Sequence, residues 1–159
     1  MWQDISINML TCIITGGRVG KSSWKRATFS WDRVTLTQLG NMRTERSGHD
    51  CVVLDGTVYA IGGWTDVSLS SVEILNLDTG YWSDGPDLPY PIGDVQAVSF
   101  NGSIYVVGGH GFDGREGYDG GKILKLEGNN WVKVANTGYE GMKMLSHPPI
   151  LSGDMIDCD

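Results

Sequence analysis

Several short stretches of this chain carry residue types that do chemistry in other proteins. Thr15-Gly16-Gly17-Arg18-Val19-Gly20-Lys21-Ser22 comes close to a phosphate-binding loop. That loop needs glycine where Thr15 stands, and a helix directly afterwards to aim N–H groups at phosphate. Ser22 to Phe29 is a poor helix start, so a loop between strands is the better expectation. Gly109-His110-Gly111-Phe112-Asp113-Gly114 satisfies the GxGxxG pattern after an apolar run. Dinucleotide binding needs a helix to begin there, and Gly117, Gly120 and Gly121 disfavour one. His49, His110 and His147 share no ligand spacing. Asp154, Asp157, Cys158 and Asp159 lack the alternate ligands and central glycine of a calcium loop. Asn101-Gly102-Ser103 is a glycosylation sequon in a secreted protein, but Asn-Gly equally serves a hairpin turn. No catalytic, cofactor-binding or metal-ligating set is therefore expected.

The elements that carry these residues follow from an internal repeat. Diglycines at Gly16-Gly17, Gly62-Gly63 and Gly108-Gly109 stand 46 residues apart, each after an apolar run. Leu54-Asp55-Gly56 and Phe100-Asn101-Gly102 precede the second and third by equal distances. Asp-Gly and Asn-Gly between apolar runs predict type I′ hairpins, Cys51–Leu54 with Thr57–Ile61 and Gln96–Phe100 with Ser103–Val107. Downstream, Leu77 precedes Trp82 by the same five residues that separate Leu126 from Trp131. In the first copy, Thr28 to Asp32 takes the strand position and Leu36 stands in place of the tryptophan. Four short antiparallel strands per period describe one blade of a propeller. The repeats occupy 10–134, and 135–159 reads as an irregular tail.

Composition narrows the partners. The 159 residues include 23 glycines and carry a net charge of −7. Turn-rich composition without low complexity fits an all-β chain. A negative field repels phosphate, so neither nucleic acid nor an anionic membrane is expected as a partner. No apolar run approaches the roughly 20 residues of a membrane helix, and no basic leader precedes Ile5. Cys12, Cys51 and Cys158 form no CxxC pair, and an odd count argues against a secreted disulfide framework. The expectation is a soluble chain in the reducing cytoplasm.

Arg46-Ser47-Gly48-His49, the run Val53 to Gly63 with Tyr59 before the diglycine, and Trp82 after it resemble a kelch repeat. Tyr105 and Trp131 continue the resemblance in the third copy, whereas the first copy lacks both. The resemblance implies an all-β fold, a partial kelch-type β-propeller of nearly three four-stranded antiparallel blades. Rings close with about 4–8 blades, so three explanations compete: a fragment of a larger propeller protein, self-association to complete the propeller, or an arc capped by its own tail. The fragment is favoured.

The resemblance also implies a protein-protein interaction module, a scaffold or adaptor binding a protein or peptide partner through blade-connecting loops. Kelch propellers that recognise peptides use the loops before the hairpin and after the diglycine. Here those are Arg46, Ser47, His49 and Asp94 in the first set, and Trp64, Asp66, Ser68, His110, Phe112 and Arg115 in the second. Trp82 and Trp131 are expected to pack between blades; for Trp64, in a loop, burial is favoured over a role as a partner's anchor. Family adaptors of ubiquitin ligases carry a dimerisation domain before the propeller, and nothing here resembles it. An enzyme of the copper sugar-oxidase type, also built on a kelch propeller, is the alternative; its metal site would use His, Tyr and a Tyr–Cys crosslink, and no visible cluster assigns such ligands here, although Tyr118, Tyr139 and Cys158 are present.

Overall fold

The computed structural model describes residues 3–8, 11–19, 23–110 and 121–138. Three four-stranded antiparallel sheets follow one another along the chain. Blade 1 contains β1 (Gln3–Asn8), β2 (Thr11–Thr15), β5 (Thr28–Trp31) and β6 (Leu36–Gln38), with a small ribbon of β3 (Arg18–Val19) and β4 (Ser23–Trp24) inserted. Blade 2 runs β7 (Asp50–Leu54), β8 (Thr57–Ile61), β9 (Val72–Asn76) and β10 (Tyr81–Asp84). Blade 3 runs β11 (Gly93–Phe100), β12 (Ser103–His110), β13 (Lys122–Glu127) and β14 (Asn130–Asn136). The fold is all-β, as expected. Blade 1 has its fourth strand in β1, which begins ahead of residue 10, so the described residues form three four-stranded blades.

The hairpins form where the turn chemistry demands. Leu54 pairs with Thr57 and Phe100 with Ser103, and both central residues of each turn have positive φ: Asp55 and Gly56, Asn101 and Gly102. That is the type I′ geometry, whose twist matches the flanking strands. The diglycines answer a different need. All six residues have positive φ, and the first two pairs bring one blade against the next. The Gly17 N–H donates to Arg46 O at 2.9 Å, and the Gly63 N–H to Ile92 O at 2.9 Å. A Cβ at Gly62 would stand 2.6 Å from Ile92 O, so a side chain is excluded by contact as well as by conformation.

Blades stack through two apolar clusters. Ile13, Met42, Cys51, Val58, Ala60, Leu75 and Trp82 fill the space between blades 1 and 2. Ile61, Val72, Leu88, Ile92, Ile104, Val106 and Leu124 belong to the cluster between blades 2 and 3, with Trp131 packed on it. The repeat tryptophans play matching parts. The Trp82 indole N–H donates to Thr28 Oγ1 of blade 1 at 3.0 Å, and the Trp131 N–H to Pro86 O at 2.8 Å. Each outer strand is thus tied to the preceding blade. Asp50 adds a bond between inner strands, accepting from the Ala97 N–H at 2.6 Å.

Candidate binding face

The loops after the diglycines and before the hairpins meet at one end of the arc. Ser47 and Trp64 exchange backbone hydrogen bonds at 3.0 and 2.8 Å, and the Asp94 N–H donates to Gly48 O at 2.7 Å. Trp64 bridges onward to Ser68. The half-buried Trp64 side chain sits between two glycines: a Cβ at Gly48 would collide with its Nε1, and one at Gly93 would lie 2.5 Å from its Cδ1. Its indole N–H donates to Asp94 Oδ1 at 3.4 Å, and the Arg18 guanidinium lies over the ring at 5.4 Å from the centroid. Arg18 comes from blade 1, Trp64 from blade 2 and Asp94 from the start of blade 3, so this face exists only when the three are stacked. Asp66 and Val67 are exposed beside it.

The expected residues divide. Asp66, Asp94 and Trp64 reach this surface. Arg46, Ser47, His49 and Ser68 are buried. Arg46 turns its guanidinium inward. It donates to Gly62 O (2.7 Å), Ser71 O (3.0 Å), Ser71 Oγ (3.0 Å) and Glu73 Oε1 (2.7 Å). Glu73 in turn accepts from the backbone N–H of Arg43 and Thr44. A buried pair bonded on so many sides fastens the loop to β9 and is withheld from any partner. His49 is enclosed, and neither ring nitrogen has a hydrogen-bond partner among the described residues. Burial, helped by the Arg46 charge, pushes its pKa down to about 3. It is a neutral packing residue rather than a donor to a partner. His110 pairs through its backbone with Gly93; its side chain, with Phe112 and Arg115, lies outside the described residues.

Arg18 is disguised in the sequence by its place in a false phosphate loop. The repeat itself holds the missing signal. At the 46-residue spacing Arg18, Trp64 and His110 share one position after the diglycine. The same spacing sets Ile92 opposite Arg46 and Val95 opposite His49, and both are buried. An apolar residue in the neighbouring copy marks a position that faces inward, whatever residue fills it here.

Among the described residues, no group of three or more His, Cys, Asp or Glu could hold a metal ion. Tyr118, Tyr139 and Cys158 fall outside them. Among the same residues, no helix is long and apolar enough to cross a membrane.

A family model described as Kelch motif matches residues 45–89, which are blade 2 and the loop leading into it. The chain is 34% identical over 93 residues to Kelch-like protein 33 of Homo sapiens, covering 58% of this chain and 16% of that protein. It is 36% identical over 75 residues to Alpha-scruin of Limulus polyphemus, covering 46% and 8%. It is 31% identical over 114 residues to Kelch repeat and BTB domain-containing protein 12 of Danio rerio, covering 62% and 18%. The chain therefore spans less than a fifth of the length of each. The matched motif coincides with the blade whose turn, diglycine and tryptophan recur in blade 3, so residues 45–89 carry a kelch repeat.

Proposed function

We propose that the chain is a protein-interaction module, a part of a larger kelch scaffold or adaptor, that binds an extended segment of a partner across the Trp64 end of its blades without turnover. Trp64 carries this reading: it is a large aromatic group left half-exposed, yet fixed between Gly48 and Gly93 and bonded to Asp94. A rigid aromatic side chain surrounded by hydrogen-bonding groups is the usual anchor of an interface, because it contributes contact area with little ordering entropy. Loops supply such surfaces because the strands are committed to their sheets. The names of the relatives, one joining kelch repeats to a BTB domain, agree with a module that works alongside other parts. Cys51 takes part in no disulfide, which suits a cytoplasmic setting. We further propose that the arc's open faces are closed by other blades, in the isolated chain by a second copy.

The test is selection of binders from a displayed library of random peptides, followed by titration onto two variants. Peptides that bind wild type are expected to lose at least tenfold in affinity on Trp64→Ala, the range for a central aromatic anchor. Asp66→Ala is exposed and keeps the test valid if Trp64→Ala unfolds; it is expected to weaken the same peptides. Selected peptides indifferent to both changes would sink this assignment of the binding face.

A further inference from the structure

Arg18, Trp64 and His110 occupy equivalent positions in successive repeats, so the face carries one variable side chain from each blade. Two of them already meet. The Arg18 guanidinium sits 5.4 Å from the Trp64 ring centroid, within the distance at which a cation is attracted to the negative face of an indole. The Asp94 carboxylate at the indole N–H adds negative potential on the same side of the molecule, and exposed Asp66 lies two residues from Trp64. The whole chain carries a net charge of −7, which raises the local concentration of cationic partners.

Trp64 is held by close contacts within the chain. Its pyrrole edge is wedged by Gly48 and Gly93, where any Cβ would collide. Arg18 is held far less firmly. It is exposed and belongs to a two-residue strand paired, among the described residues, with Ser23–Trp24. A preformed aromatic platform, flanked by carboxylates and covered by a side chain on a short exposed ribbon, has the form of a seat with a removable occupant.

We infer that Trp64 is the seat for a cationic side chain, arginine or lysine, of the partner segment, and that Arg18 fills that seat in the unbound chain. The inference rests on the binding-face proposal and gives it a partner chemistry. Arg18 competes with the partner's cation for one ring face, so removing it frees the seat without touching the ring or its carboxylates.

The indole N–H resonance of Trp64, followed by ¹⁵N-edited NMR on the full chain, reports on the seat directly. The probes are a blocked pentapeptide with central arginine, the same peptide with citrulline, and the same peptide with glutamate. The arginine peptide is expected to move the Trp64 resonance and the citrulline peptide, equal in shape but uncharged, to leave it in place. Arg18→Gln is expected to tighten the arginine peptide roughly two- to five-fold, the range of an exposed cation–π contact. Equal response to arginine and citrulline overturns the inference, as does looser binding on Arg18→Gln. Binding of the glutamate peptide that Arg18→Gln abolishes also overturns it, making Arg18 the contact and the partner acidic; the binding-face proposal then stands. No response to any probe overturns the cation seat, and dependence of the library-selected peptides on Asp66 decides the broader proposal separately.

Discussion

His49 shows how one buried side chain ties stability to acidity. Its pKa is pushed down to about 3 by burial, then by the Arg46 charge, whereas an unfolded histidine titrates near 6.5. Between those values the unfolded chain binds a proton that the folded chain refuses, so stability falls as pH falls from about 6.5 toward 3. Above about 6.5 the residue contributes no pH dependence. By about pH 5 the loss from this group is about 2 kcal/mol. His49→Val places at this position the residue that the next repeat carries at Val95, and urea unfolding from about pH 7 to about pH 4 is expected to show a flatter stability profile for the variant. An unchanged slope would mean that His49 takes up its proton while folded. Arg46 and His49 both stand in a polar loop string, Arg46-Ser47-Gly48-His49, which reads locally as a surface. Burial of a loop is set by the neighbouring blade, and local composition carries no trace of it. Only the comparison with Ile92 and Val95 across one period exposes the inward orientation. Trp64, by contrast, is separable from Trp82 and Trp131 in the sequence because it breaks the tryptophan spacing.

At the scale of the element, two classes of glycine do different work and should respond differently to substitution. Gly56 has φ +73° in an open turn where an added Cβ would meet no atom within 4 Å, whereas Gly63 has φ +95° and would press a Cβ to 2.8 Å from Ser47 O. Gly56→Ala bears only the left-handed backbone cost, of order ~1 kcal/mol. Gly63→Ala bears that cost and a collision with backbone of the adjoining loop, so thermal and urea unfolding are expected to show it losing at least about 2 kcal/mol more than Gly56→Ala. Equal losses would mean that the diglycine is a turn device and no part of the blade interface. Turns of this kind are legible because their φ requirement selects Asp-Gly and Asn-Gly almost alone. The strand β1 is not legible: no turn signal of that type precedes the first diglycine, and Gln3–Asn8 mixes polar and apolar residues without a matching copy. The β3–β4 ribbon is hidden for a similar reason, since Arg18–Val19 and Ser23–Trp24 have no matching sequence after the other two diglycines.

At the scale of the whole molecule, three stacked blades leave part of the apolar side of blade 1 exposed. Blade 2 turns Val58, Ala60, Leu75, Leu77 and Trp82 toward blade 1, where the cluster with Ile13 and Met42 covers them. Forty-six residues earlier the same positions are Cys12, Ile14, Phe29, Trp31 and Leu36. They form an apolar set too, but Trp31 is 43% and Leu36 58% exposed. Such a face loses contact with water when another blade stacks on it, as both internal interfaces of this chain demonstrate, and left open it drives association. Blade 3 offers the reciprocal side, with Tyr105, Val107 and Ile123 at the repeat positions of Tyr59, Ile61 and, on the third strand, Val72, which in blade 2 pack toward blade 3. Joining blade 3 of one copy to blade 1 of another is a head-to-tail contact, which closes when the rotation allows. Two three-bladed arcs make six blades, within the range of closed propellers. Light scattering on the purified chain, beside its far-UV circular dichroism, is therefore expected to give a folded β signal at twice the chain mass. Leu36→Glu, placed on a residue already exposed in the single chain, is expected to lower that mass to one copy while keeping the β signal. A monodisperse, fully folded single chain in the wild type would overturn closure by a second copy. Dimers that survive Leu36→Glu would place their interface elsewhere, and the apolar stripe of blade 1 would then need another covering partner.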